Sequence, residues 1–527
     1  MLVRLHAAAL RGVDAVPVTV EVRVDRGIHF LMVGLPDSAI RESQQRIKSA
    51  IEHLGYHWPG QGITINLAPA GLRKEGAAYD LPLALGILAA SGQIDPSWLS
   101  DLLPMGELAL DGQLRPIRGA LALAQAAKPT EIQAVIFPKE SATEAAMLGE
   151  VKVYAAAHLR EVLDHLEGRR PLNTVSCDLD ALIKEKAQTS LAPLVQIRGQ
   201  SRAIEAMSLA AAGGHNVCMV GPPGVGKTLL AQAVVGLLPP MSLREAIEVN
   251  RIHSLRPQHA TDHSNIILER PFRSPHHTIS NVALVGGGAD PKPGEISLAH
   301  AGVLFLDELA EISRPVLEVL RQPLESKKMT ISRSRASVIF PADFQLIAAM
   351  NPCPCGRYSP DPKRRRLCTC SQHARRRYLQ RISQPLLDRM DIHLDIEPVD
   401  PRSMVPLDAE QEDHELVQRT HLAQRLQRRV FKAREIQRQR NPNGMPNHRL
   451  NGQNLSDLTR LCSEGRKWLR QASMQLELSA RAHHRILRMA RTSADLREQK
   501  SVEIPDLVEA LSLHRGQPHL CEGLDEL

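Results

Sequence analysis

Residues 221–228 read Gly221-Pro222-Pro223-Gly224-Val225-Gly226-Lys227-Thr228, a complete G-x-x-x-x-G-K-[ST] string between the apolar run Asn216–Val220 and the helix-like run Leu229–Leu238. Its chemistry is phosphate binding. Glycines let backbone N–H groups turn toward an anion, Lys227 reaches the β and γ oxygens of a nucleoside triphosphate, and Thr228 offers a hydroxyl to Mg²⁺ at a helix N-terminus. Hydrolysis needs a metal carboxylate and a water-activating group as well. Val303–Leu306 is an apolar run suited to a buried parallel strand, and it ends in Asp307 and Glu308, where such sheets place their ligands. Asp307 is expected to hold Mg²⁺ through water, and Glu308 to polarise the attacking water. A third strand-like run, Phe344–Met350, delivers the amide of Asn351 to the same edge, within reach of the γ-phosphate or the water.

Three apolar runs that each end in a polar group require an open parallel sheet with helices on both faces, so residues 193–399 are predicted to be an α/β nucleotide-binding domain. At 527 residues the chain has room for about three domains. Residues 1–170 precede the core, a polar linker is predicted over 171–192, and Pro398, Pro401 and Pro406 mark a hinge into residues 400–527. That last segment reads as helical, broken by Asn441–Pro446 into a basic arm and a lid. The apolar run Asp80–Ala90 is too short to span a bilayer and reads as a core helix. The first residues carry no charged-then-apolar signal pattern, so a cytoplasmic location is expected.

Several strings resemble one family. Val195–Thr228 with Arg198-Gly199-Gln200, Arg270–Ser280, Pro293–His300, Asn351–Gly356 and Arg381–Arg389 are similar to the magnesium-chelatase-like AAA+ ATPases, and the resemblance runs through nearly the whole chain. It implies a hexameric, ATP-driven DNA translocase that promotes branch migration in homologous recombination during natural transformation. By the same resemblance Asn351 stands at the position called sensor 1. Arg389, within Leu386–Asp391, stands where an arginine finger reaches into the neighbouring subunit's site, and Arg481 stands at the sensor 2 position of the helical lid. Either arginine could equally be a surface ion-pair partner.

In the N-terminal third, Gly106–Ile117 and Lys74–Asp80 resemble the proteolytic domain of Lon proteases, a fold related to ribosomal protein S5 domain 2. That resemblance places a nucleophilic serine at the position of Ala78 and a lysine base in the stretch Arg118–Leu123, which has none. A Ser–Lys dyad needs both groups, so the expected role is structural or oligomeric.

Four of the 8 cysteines cluster as Cys353-x-Cys355 and Cys368-x-Cys370. In a reducing compartment, four such thiolates suit a tetrahedral structural Zn²⁺, with free or redox-active thiols as the alternative. The net charge of +7 is unevenly spread. Lys363, Arg364, Arg365 and Arg366 open a run to Arg381 that holds no acid, and a second basic block spans Arg419–Arg440. Such blocks point to a polyanion, with a solvated helix face as the alternative for the second. Aromatics make up only 3% of the chain, so contacts would go to phosphates of single-stranded or branched DNA rather than to stacked bases. Two insertions are expected at the strand: Arg270–Gly294, with His276 and His277 in a loop role, and a hairpin over Met329–Phe340 that presents Arg333 and Arg335. A metal-chelatase motor subunit shares the same ATPase core and is the competing reading, followed by a non-enzymatic or protease-associated switch.

Overall fold

The computed structural model of the chain describes residues 1–127, 132–186, 191–256, 266–288, 291–333, 336–359, 367–399 and 409–515. Strands β1 (Leu2–Arg11) and β2 (Asp14–Asp25) form a long antiparallel hairpin that pairs Leu2 with Arg23 and Arg11 with Asp14. Period-2 patterning explains its inner face, since Val18, Val20, Val22 and Val24 are all buried. With β3 (Phe30–Val33) and β4 (Gly62–Ala68) the hairpin makes a four-stranded sheet in the order β1-β2-β4-β3. Helix α2 (Asp80–Ala90) packs on it, and helix α1 (Ser38–His53), capped by Asp37, packs against α2. Every residue of α2 is buried, as its uninterrupted apolar sequence requires. Its first residue, Asp80, accepts from Arg46 Nε at 2.7 Å, from Arg46 Nη2 at 3.0 Å and from the Leu108 amide at 3.2 Å.

A second sheet runs β8-β7-β6-β5, from β5 (Leu102–Pro104), β6 (Ala134–Pro138), β7 (Lys152–Ala156) and β8 (Thr174–Val175). The stretch expected as a linker therefore supplies a strand, and after it helix α3 (Leu179–Lys186). Leu179 and Ile183 pack with Leu121 and Met147 on one side and Met241, Ala246 and Val249 on the other, so apolar burial joins the two halves of the molecule.

The second half is built on α4 (Ser201–Gly213), β9 (Val217–Val220), α5 (Lys227–Leu237) and α6 (Leu243–His253), followed by β10 (Phe272–Arg273) and β11 (Val303–Leu306). An antiparallel hairpin, β12 (Lys328–Arg333) and β13 (Ala336–Pro341), precedes β14 (Gln345–Met350). Helix α7 (Gln372–Leu379) and strand β15 (Ile392–Asp395) complete the core. Its sheet is parallel throughout, in the order β10-β11-β14-β9-β15. All residues of β9, β11 and β14 are buried, because helices cover both faces. The order sets β11, β14 and β9 side by side, so the chain segments leaving their carboxyl ends are neighbours.

The turn of the β1–β2 hairpin reaches this core. Val13 packs with Ile252 of α6, Leu298, and Ile331, Val338 and Phe340 of the β12–β13 hairpin, while Arg251 donates to the Val13 carbonyl at 2.9 Å. The C-terminal part is helical: α8 (Ala409–Arg440), α9 (Ala480–Leu496) and α10 (Ile504–Arg515), with a 3-10 turn at Pro442–Gly444 breaking the chain after α8. No helix among the described residues is long and apolar enough to cross a membrane.

The second basic block lies on α8, and much of its charge is spent inside the molecule. Arg429 pairs with Glu205, Lys432 with Glu498 and Arg440 with the buried Asp495, while Arg434 donates to the Ala211 carbonyl at 3.0 Å. Arg429 and Arg434 thereby join α8 to α4, and Arg440 joins it to α9, whereas the Lys432–Glu498 pair is exposed, as are Arg425 and Arg428. Sequence spacing sees the charges but not the carboxylates that fold beneath them.

Candidate functional site

Strand β9 ends at Val220, and the loop that follows needs two left-handed residues, Gly224 at φ 81° and Gly226 at φ 87°. A Cβ at either would meet no atom within 4 Å, so glycine is required there by backbone conformation, and the space above the loop is open. Lys227 begins α5 and is 8% exposed. Its Nζ donates to the carbonyls of Gly221 at 2.7 Å and Pro222 at 3.0 Å and to Asn351 Oδ1 at 3.1 Å. Burial lowers its pKa, against the attraction of Asp307 and Glu308. The lysine is thus folded onto its own loop, held by neutral acceptors that a phosphate anion can replace.

Asp307 leaves β11 and faces Thr228, whose Oγ1 donates to Asp307 Oδ2 at 3.3 Å. The next amide, Glu308 N, donates to Asp307 Oδ1 at 2.8 Å. Glu308 itself is left-handed, at φ 51°, a conformation that costs a non-glycine residue about 1–2 kcal/mol. Its carboxylate Oε2 lies 2.7 Å from His277 Nδ1. That histidine stands on the segment after β10, and its ring is 4.1 Å from that of His276. The contact is absent from the sequence expectations, which gave both histidines a loop role; nothing in the spacing marks a pair 31 residues apart.

Lys227, Thr228, Asp307, Glu308 and Asn351 therefore converge at one sheet edge. The residues suit ATP with Mg²⁺: an open loop of left-handed glycines at a helix N-terminus, a lysine for the phosphates, and a hydroxyl beside a carboxylate for the metal. Arg389 and Arg481 are placed elsewhere. Arg389 donates to the Pro385 carbonyl at 2.5 Å and pairs with Glu325, and Arg481 is exposed at the second position of α9. Among the described residues neither is joined to residues 221–228 by a hydrogen bond or ion pair. What does tie the lid to the core is buried: His215 contacts Asp391 at 3.3 Å and Thr492 of α9 at 2.9 Å. Burial opposes ionisation of Asp391, yet the hydrogen bond and charge of His215 hold its carboxyl far below the usual range.

The loop after Asn351 carries the thiols. The Sγ atoms of Cys353, Cys355, Cys368 and Cys370 all lie within 4.8 Å of one another, with Cys353 at 3.3 Å from Cys355 and 3.7 Å from Cys368. Gly356, at φ 73°, lets this loop press on the phosphate loop, since a Cβ there would lie 2.8 Å from Pro223 Cδ. Arg333 is the last residue of β12, whereas Arg335, Lys363, Arg364, Arg365 and Arg366 lie outside the described residues. Farther along the first basic run, Arg381 pairs with Glu311 at 2.8 Å and Arg375 sits over the Tyr358 ring at 4.0 Å.

Three family profiles match the chain: "Subunit ChlI of Mg-chelatase" over residues 20–141, "Magnesium chelatase, subunit ChlI" over 193–404, and "Magnesium chelatase, subunit ChlI C-terminal" over 420–514. Competence protein ComM of Haemophilus influenzae is 41% identical over 528 residues, 99% of each chain. The uncharacterized YifB proteins of Salmonella typhimurium and Escherichia coli are each 41% identical over 96% of both chains. Identity at this level along the full length, with the phosphate loop and its facing carboxylates in place, settles kinship: the chain belongs to the ComM/YifB family of magnesium-chelatase-like AAA+ ATPases.

Proposed function

We propose that the chain is an ATP-driven DNA translocase that assembles as a homo-hexamer and promotes branch migration of recombining DNA during natural transformation. The observation that carries the motor is the convergence of Lys227, Thr228, Asp307, Glu308 and Asn351 on one sheet edge. The word competence in the name of a full-length relative supports the setting, and the β12–β13 hairpin, whose first strand ends at Arg333, supports the DNA contact.

Bound ATP and Mg²⁺ supply the phosphoanhydride to be cleaved and the charge that neutralises it. Lys227 exchanges its carbonyl partners for phosphate oxygens, Thr228 and Asp307 hold the metal, and Asn351, released by the lysine, orients the water that Glu308 polarises. Arg389 acts in trans, which requires it to leave Glu325 when a neighbouring subunit docks, and Arg481 closes the lid over the nucleotide. Arg333 and Arg335 of the hairpin and the run Lys363–Arg366 grip phosphates without reading bases. Strand exchange then nearly balances in base pairs, and the motor supplies direction. In the N-terminal half, the Lon-like fold without a dyad serves as scaffold.

The four thiols hold a structural Zn²⁺. Tetrahedral sulfurs about 2.3 Å from zinc stand about 3.8 Å apart, close to the spacing of these Sγ atoms.

Purified protein should hydrolyse ATP faster with DNA and move a three- or four-stranded junction. Hydrolysis indifferent to DNA, with junctions untouched across salt and Mg²⁺ conditions, sinks this reading in favour of the chelatase motor, which the wording of the family profiles favours.

A further inference from the structure

We propose that the groove between the helix Ser463–Gln475 and the first turn of α9 is the docking site for this chain's own C-terminal segment, Gly516–Leu527, which lies outside the described residues. The inference does not depend on the ATPase reading. Arg466, Leu469, Arg470, Ser473 and Met474 follow one another at the spacing of a single helical face, and with Leu461 and His483 they surround a volume of about 380 Å³. Met474 is 70% exposed, an adaptable apolar side chain left in water. Arg466 and Arg470 are exposed and, among the described residues, in no ion pair, and no carboxylate lines the groove. Ser473 Oγ is buried and has no hydrogen-bond partner among the described residues. Apolar surface, two unanswered guanidinium groups and a buried hydroxyl short of a partner suit a peptide that carries carboxylates among leucines.

The C-terminal segment has that chemistry. Leu520, Leu524 and Leu527 are interspersed with Glu522, Asp525 and Glu526, and the segment holds no Lys or Arg, in a chain whose net charge is +7. It also has the reach. Leu461 bridges Val502, just before α10, so α10 starts beside the groove. That helix of 12 residues is about 18 Å long, and the segment after it spans up to about 40 Å when extended, enough to fold back along α10. A tether of this length holds the acids near the groove at an effective concentration on the order of millimolar, so contacts that are weak singly suffice, and the chain's own segment outcompetes a free polyanion. The docked segment lies beside the turn of α9 that carries Arg481.

The test is cross-linking in the full-length chain. Met474→Cys, at an exposed position, is treated with a short bismaleimide, and the linked peptides are identified by mass spectrometry in an equal mixture of ¹⁴N- and ¹⁵N-labelled protein. A link between position 474 and Cys521 should form, with both peptides from the same isotope. Adding Arg466→Glu and Arg470→Glu should lower its yield at least about tenfold, since two attractions become repulsions, and so should high salt. Replacing Glu522, Asp525 and Glu526 by Arg in that variant should restore the link, which separates lost docking from lost folding. Absence of the link, a yield indifferent to charge reversal, or a link only between different isotopes, which would place the segment on a second copy, overturns the inference. So does a groove that takes nucleic acid instead: no link in the DNA-free chain, with poly-dT binding weakened by Arg466→Glu and Arg470→Glu. ATP hydrolysis enters none of these readouts, so failure of the motor reading leaves the inference standing, and the reverse.

Discussion

Two lysines, one in each half of the chain, meet the same kind of partner and do different things. Lys74 is fully buried, and its Nζ donates to the carbonyls of Gly34 at 3.1 Å, Leu67 at 2.7 Å and Pro69. Lys227 donates to two loop carbonyls and one side-chain amide. Burial lowers the pKa of both. The difference lies in what can come next. Around Lys227 the loop is open above two glycines, and two carboxylates face it across the sheet edge, so an arriving anion can take the amine. Around Lys74 all three acceptors are backbone, and Gly34, at φ 100°, lets its strand approach until a Cβ there would lie 2.2 Å from the Leu67 carbonyl oxygen. No nucleophile stands nearby in the motif, because position 78 is alanine. A sealed lysine is an internal tie, and an open one is a phosphate ligand.

The largest effect that could break this comparison is on turnover. Lys227→Ala should lower ATP hydrolysis by at least about a hundredfold, with little change in melting temperature, since its partners are loop acceptors that water can satisfy. Retained turnover would put Lys227 in the same structural class as Lys74. Next in size, Lys74→Met should leave ATP affinity intact and destabilise the fold by about 3 kcal/mol, because three buried carbonyls lose their donor. Denaturant titration reads it, and loss of ATP binding with unchanged stability would show that Lys74 serves the site instead.

A smaller effect concerns the seam between the halves. Glu144 accepts the Leu121 amide at 3.1 Å and contacts Ser254, at the end of α6, and burial pushes its carboxyl up to about 7 despite those donors. With the folded value above the unfolded one, the native state binds the extra proton between about pH 4.5 and 7, so this group's stabilisation is full below that window and fades as pH rises through it. Glu144→Gln should remove that fade, flattening the stability profile by up to about 2–3 kcal/mol between pH 5 and 8. An unchanged slope in a pH series of melts would place the titration elsewhere. Smallest of all, Val13→Ala should cost about 1 kcal/mol or somewhat more at the hairpin turn and leave the DNA-free ATPase rate unaltered, because only the apolar cluster with Ile252 and Phe340 is trimmed. A changed DNA-free rate would mean that the N-terminal half reaches the active site directly.

Local physics made much of the chain readable in one dimension. The phosphate loop is a short-range structure: glycine spacing sets the backbone, and the helix begins at the lysine, so Gly221–Thr228 declares itself without neighbours. Buried parallel strands read as apolar runs, which placed Asp307 and Asn351 at the sheet edge; α2 matches its apolar string residue for residue, and the β-prone halves around Arg333 pair as a hairpin. Pairings between distant segments are another matter, because they depend on which strands the sheet order sets side by side. The His277–Glu308 contact, the carbonyl cage around Lys74, the pairing of Arg389 with Glu325, and the arginines of α8 spent on Glu205 and Asp495 are all of this kind. Composition and spacing determined what each residue could do, whereas the tertiary structure alone decided which charges were already answered inside the fold, since a charge finds its partner by distance in space and not along the chain.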